Sequence, residues 1–124
     1  MMERVRLITR VPPEKIGHKF LRSGAKVFLS NPNIYCRPIW SLETNVGTIR
    51  EAFFVSQFSS YSIAVPDIGD FSIRFNGKRI VFEIGGPGKT LQQIKNEENA
   101  FVLKDGVESG YSQVIPLYLI GMMY

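Results

Sequence analysis

Apolar and polar positions alternate with two different periods along this chain, and each change of period marks an element. Residues 25–30, AKVFLS, read as a short strand followed by a polar turn at Asn31-Pro32-Asn33. From Gly47 to about Ser60, GTIREAFFVSQFSS carries Glu51, Phe54, Val55 and Phe58 at the i, i+3, i+4, i+7 spacing of one helix face. That face is an apolar stripe with a carboxylate near its N-terminal end. YSIAVP (61–66), GDFSIRF (69–75) and KRIVFEI (78–84) read as strands, and Asn76-Gly77 between the last two is a two-residue hairpin signal. Thr90 and Gln93 have the spacing of a capping box, which predicts a helix from Leu91 to roughly Glu98. NAFVLKDG supplies another strand, and Pro116 suits the first turn of a closing C-terminal helix. The order of strand, helix, three strands, helix, strand and helix implies an α/β fold with a mixed central sheet flanked by helices.

The hairpin carries the first chemical expectation. A two-residue turn at Asn76-Gly77 pairs Phe75 with Lys78, Ile73 with Ile80 and Phe71 with Phe82 on one face, which is apolar apart from Lys78. The other face sets Arg74 against Arg79, Ser72 against Val81 and Asp70 against Glu83. Carboxylates directly opposite one another stand about 4.5 to 5.5 Å apart at Cβ and destabilise a sheet unless something compensates. A divalent cation between Asp70 and Glu83 is one solution, and a raised pKa on one acid is the other. Glu51, from the preceding helix, can reach the same edge. A bulge in either strand would separate the acids. Taken singly, each acid also has an ordinary reading: Asp70 as an exposed residue at a strand start, and Glu51 as a favourable charge in a first helical turn.

Composition narrows the classes. The chain has 124 residues, 44% hydrophobic and 21% charged, which is the make-up of one globular domain. One cysteine, Cys36, excludes an internal disulfide and a multi-cysteine zinc site, and one histidine, His18, excludes a site that needs two. No signal peptide or membrane span is visible, since the longest apolar run, IPLYLIGMMY, is about half of what a bilayer requires. A cytoplasmic location without membrane contact is the expectation. The net charge of +4 is unevenly placed: residues 1–26 hold Arg4, Arg6, Arg10, Lys15, Lys19, Arg22 and Lys26 against Glu3 and Glu14, and the rest is nearly neutral. The expected organisation is a basic arm at 1–26 and an α/β domain at 27–124. Arg4, Arg6 and Arg10 of the arm, with Arg74 and Arg79 of the hairpin, are the candidate nucleic-acid contacts. A solvated tail is the alternative for the arm.

The segment EIGGPGKT (83–90) ends as a phosphate-binding P-loop ends. The pattern requires glycine at position 83, which is Glu83, and Pro87 removes an N–H donor from the cradle. No ATP is expected on this chain. The segment reads instead as a tight loop leaving a strand and entering a capped helix. A serine or cysteine triad scores poorly, because its histidine would have to be His18 and no nucleophile elbow is present.

Glu51, Asp70 and Glu83 together resemble the acids of the PD-(D/E)xK nuclease fold, and this resemblance implies a restriction-endonuclease-like sheet with Mg²⁺ or Mn²⁺ at Asp70 and Glu83. In that pattern a lysine stands two residues after the Glu. Here the position is Gly85, so Lys89 is the candidate migrated base, with a solvated loop residue as its alternative. NPNIY, NVGTIREAFFVSQ, GDFSIRFNGK, FEIGGPGKTLQQI and IPLYLIGMMY also resemble the C-terminal domain, of unknown function, of a family of prokaryotic AAA-type ATPases. This likeness covers most of the chain after the arm and implies an ATPase domain as partner. The function expected is a degenerate nuclease-like accessory domain that binds DNA or a protein partner without cleavage, so an enzyme is not favoured. An active Mg²⁺- or Mn²⁺-dependent nuclease using Glu51, Asp70, Glu83 and Lys89 and a protein-interaction domain with an aromatic-rich surface are the alternatives.

Overall fold

The computed structural model describes residues 7–15, 25–36 and 45–122. Strands β1 (Ile8–Val11) and β2 (Lys26–Leu29) form an antiparallel pair, Ile8 opposite Leu29 and Val11 opposite Lys26. A 3-10 helix at Pro32–Cys36 follows, then helix α1 (Val46–Gln57). The second sheet contains β3 (Phe71–Phe75), β4 (Lys78–Gly85), β5 (Ala100–Lys104) and β6 (Val114–Pro116) in that spatial order. β3 and β4 are antiparallel, while β4, β5 and β6 are parallel. A 3-10 helix at Leu117–Met122 closes the described chain. The architecture is a mixed α/β fold around a mixed four-stranded sheet. No helix among the described residues is long and apolar enough to cross a membrane.

Local chemistry accounts for the elements. Asn45 caps α1 by accepting the Gly47 N–H at 2.7 Å, and at the other end the Phe58 N–H donates to the Phe54 carbonyl at 3.0 Å. Asn76 and Gly77 both have positive φ, as a primed hairpin turn demands, and the five expected pairs from Phe75–Lys78 to Phe71–Phe82 are in register. Alternation then sorts the sheet. Phe71, Ile73, Phe82, Ile84 and Leu103 join Phe54, Val55 and Phe58 of α1 in one core, with Val11 and Phe28 from the β1–β2 pair. Val81, Ala100, Val102 and Val114 face the other way and pack with Ile94. β4 is therefore covered on both faces. Phe54 is the hub of the larger core, stacked on Phe71 at 5.0 Å between centroids and tilted against Phe82 at 5.1 Å and Phe58 at 4.6 Å.

Three expectations need correction. The helix predicted over Leu91 to Glu98 is a run of turns, held by i to i−3 bonds from Ile94 N–H to Leu91 and from Glu97 N–H to Ile94. Its inner side offers Leu91 and Ile94 and then Lys95 and Glu98, too little apolar stripe to fix a helix, and the Gln93 amide bonds to Glu83 rather than to a cap. Residues 61–66 make only single bridges, Ala64 with Ser72 and Val65 with Pro13, because prolines 12, 13 and 66 remove ladder donors. Pro116 ends edge strand β6 opposite Lys104, and the closing element is a 3-10 helix. The turn expected at Asn31-Pro32-Asn33 is present as an Asx turn, with Asn33 N–H donating to Asn31 Oδ1 at 3.0 Å, and it runs into the 3-10 helix Pro32–Cys36. Among the described residues α1 is the only α-helix, so the sheet carries a helix on one face and a turn segment on the other.

The expected basic arm also contributes structure. Residues Ile8–Val11 are β1, and Glu14 N–H bonds to the Val65 carbonyl at 2.8 Å while its carboxylate accepts from Ser72 and Arg79. Met122 is 63% exposed, and Met123 and Tyr124 lie outside the described residues. Replacing Phe54 by Ala is expected to cost about 3–5 kcal/mol of unfolding free energy, against under about 1 kcal/mol for Phe75→Ala at the half-exposed hairpin end. Urea denaturation of the two variants checks the ranking, and equal losses would mean that Phe54 is not the hub.

Candidate functional site

The sequence-predicted acids meet at the end of the sheet where β3 begins and β4 finishes. Glu83 is the third-last residue of β4, on the face with Val81, and it is only 2% exposed. An ionised carboxylate at that depth requires partners. Lys89 supplies the ammonium, ion-paired directly with Glu83 Oε1, and the Gln93 amide, oriented to donate, lies 2.5 and 3.3 Å from the two carboxylate oxygens. The tight GGPG loop delivers both groups: Lys89 N–H bonds back to the Gly86 carbonyl at 3.0 Å, and Asp105 N–H bonds to the Gly85 carbonyl at 2.8 Å.

Gly85 is what lets Lys89 arrive. A Cβ at position 85 would lie 2.7 to 2.8 Å from three carbons of the Lys89 stem, so the lysine chain crosses the space that any other residue would fill. The nuclease-type pattern would put its lysine on this strand position. This chain instead brings a lysine over the vacant side-chain space from the loop.

Asp70 does not continue the hairpin ladder as expected. The regular pairs stop at Phe71–Phe82; Asp70 N–H then donates to the Phe82 carbonyl at 2.9 Å, and its Oδ2 accepts the Ile84 N–H at 2.8 Å. The carboxylate stands in for a strand carbonyl, and its direct cross-strand pairing with Glu83 is lost to this bulge-like step. Glu51, on α1, completes the set. Lys26 of β2 lies 3.4 Å from both Glu51 oxygens and 4.0 Å from Asp70 Oδ1, with its ammonium 4.9 Å from the Phe71 ring centre.

Electrostatics tie the five groups together. Burial raises Glu83, opposed by Lys89 and reinforced by the Asp70 charge. Glu51 is likewise raised, chiefly by burial, with Lys26 pulling down and Asp70 pushing up. Lys89 is raised, first by its hydrogen bond to Glu83. The two compensations considered from sequence, a cation or a raised acid, are thus joined by a third, two lysine ammoniums. Among the described residues no three of His, Cys, Asp and Glu converge as a metal-ligand set. As arranged, Lys26 stands between Glu51 and Asp70, and Lys89 covers Glu83.

Lys26 and Gln93 were not among the sequence candidates. Alternation in AKVFLS puts Lys26 on the same side as the buried Phe28, a signal obscured by counting the lysine with the basic arm. Of the arginines, Arg10 and Arg74 are exposed. Arg79 is committed to Glu14 at 2.8 Å and Glu97 at 3.3 Å, and these partners raise it. Arg4 and Arg6 lie outside the described residues, as does His18. No family model matches the chain, and neither a curated protein nor a solved structure matches it.

Two outcomes test the cluster. Gly85→Ala should expel Lys89 from Glu83 and lower the thermal midpoint, whereas Gly88→Ala, with open space at its Cβ, should change it far less. Equal effects would show that the crossing lysine does not constrain position 85. The pH dependence follows from the raised acids: their contribution to stability is full below the ordinary value of 4.5 and is lost as pH rises through the higher folded values. The unfolding free energy of the wild type relative to Glu83→Gln should therefore fall as pH rises above about 4.5. A flat difference in urea titrations would mean that Glu83 is not raised.

Proposed function

We propose that this chain is a degenerate, restriction-endonuclease-like domain that binds nucleic acid without cutting it and serves as an accessory module, on the family resemblance, to an AAA-type ATPase. One observation carries the reading. The acids expected of a nuclease centre, Glu51, Asp70 and Glu83, are gathered at one sheet end, yet most of their charge is offset by Lys26 and Lys89 of the same chain. An internal ammonium gives the like charges the neutralisation that a bound divalent ion would otherwise supply. The scaffold is retained while the ion-binding capacity is spent on stability. The basic net charge of +4 and the exposed Arg10 and Arg74 favour a polyanion as partner.

A second reading, an active Mg²⁺- or Mn²⁺-dependent nuclease, draws on the placement of Lys89 across Gly85 beside Glu83, where a nuclease lysine belongs. Calorimetric titration of Mg²⁺ and Mn²⁺ into the wild type and Asp70→Asn, with DNA integrity and salt-dependent DNA binding followed in parallel, separates the two. The expected result is no saturable site that depends on Asp70, intact DNA, and binding that weakens steeply with salt. A saturable ion site lost in Asp70→Asn together with cleaved DNA would establish the nuclease. Co-purification with a protein that resists salt, and no DNA binding, would point to the interaction domain.

A further inference from the structure

At the opposite end of β2 from Lys26, β1, β2 and the end of α1 enclose a cleft of about 630 Å³ lined by Ile8, Thr9, Arg10, Ser30 and three serines just before and after the helix terminus, Ser56, Ser59 and Ser60. We propose that this cleft is a phosphodiester-binding site through which the domain holds a nucleic-acid backbone. The inference deepens the nucleic-acid reading above and rests on it.

Among the described residues the lining holds an arginine and hydroxyls and no carboxylate. Phosphate oxygens are bound by just these donors, Arg with Ser and Thr, in contacts that position a backbone without reading its sequence. Thr9 Oγ1 and Ser30 Oγ lie 3.1 Å apart and share one hydrogen bond, which leaves one of their two O–H groups free. Ser59 and Ser60 are exposed, as is Arg10, and among the described residues Arg10 forms no ion pair. A helix C-terminus ordinarily repels an anion through its free carbonyls. Here the Phe53 carbonyl accepts from Ser56 Oγ at 2.8 Å, that of Phe54 from Phe58 N–H at 3.0 Å, and that of Phe58 from Tyr61 N–H at 2.9 Å. These three carbonyls are occupied, and the guanidinium and hydroxyls supply the donors of the lining. The acid cluster sits at the other end of the β2–α1 contact, so the site that attracts phosphate is separated from the charges that would repel it.

Fluorescence anisotropy of the full chain with a labelled single-stranded and a labelled duplex oligonucleotide, over a series of salt concentrations, tests the assignment. Arg10→Ala is expected to weaken binding several-fold irrespective of sequence and to reduce the salt slope by about 1, the signature of one lost phosphate contact. Ser59→Ala/Ser60→Ala should weaken binding while keeping the slope, and Lys95→Ala, an exposed residue outside the cleft, should keep both. Thermal melts matching the wild type confirm that these surface variants fold. If the wild type binds and the cleft variants bind equally well, the cleft is wrong and the nucleic-acid reading stands. If the wild type binds neither oligonucleotide at low salt, the nucleic-acid reading fails and the cleft proposal with it. Binding of a phosphoserine peptide in place of either oligonucleotide would overturn the nucleic-acid assignment while keeping the anion site.

Discussion

A carboxylate placed in a strand that is covered on both faces controls how the rest of this domain is arranged. Glu83 sits in β4 between the α1 core and the turn segment that carries Ile94, at 2% exposure. Burial of an unpaired carboxylate is far too costly for a small domain to tolerate. The chain therefore leaves β4 through glycine, turns tightly, and returns Lys89 and Gln93 over the same strand. The glycine-rich loop, the missing side chain at position 85 and the irregular 91–98 segment are consequences of one electrostatic requirement. No buried polar side-chain atom among the described residues is left without a partner.

The same requirement recurs on the helix side with a different solution. Glu51 projects from α1 toward the start of β3, where Asp70 has already given one oxygen to the Ile84 N–H. Lys26 spans Glu51 and Asp70, with its charge over the Phe71 ring. Through this lysine and through Phe28 the β1–β2 pair is fastened to the main sheet, and Glu14 fastens it again at Ser72 and Arg79. Burial alone pushes Glu14 up, but its hydrogen bonds from Arg79 and Ser72 prevail and hold its carboxyl below the ordinary range. That contact contributes stability above about pH 4.5 and loses it as pH falls through the depressed value, the reverse of Glu51 and Glu83.

Legibility in the sequence followed the range of the interaction. The hairpin at Asn76-Gly77 and its register were readable because turn chemistry and two-residue alternation are local, and so was α1, whose stripe repeats along one stretch of chain. The 91–98 helix was misread because a capping box says where a helix can start and not whether its side chains are claimed elsewhere. Gln93 is claimed by Glu83. Asp70 and Glu83 were correctly brought to one edge, but the hairpin rule carried their pairing one step too far, past the point where the Asp70 side chain takes over a backbone bond.

By itself the sequence determined the elements whose driving forces act within a few residues: the strands around the hairpin and the amphipathic helix. Only the tertiary structure decided what the charged residues do. Lys26 and Glu51, or Arg79 and Glu14, are far apart in the chain and become partners because packing of apolar faces brings them together. Hydrophobic burial sets those distances without regard to charge, and the charges then pair according to what burial has placed within reach. The pairing of ions is thus a property of the packed fold, and local pattern carries little information about it.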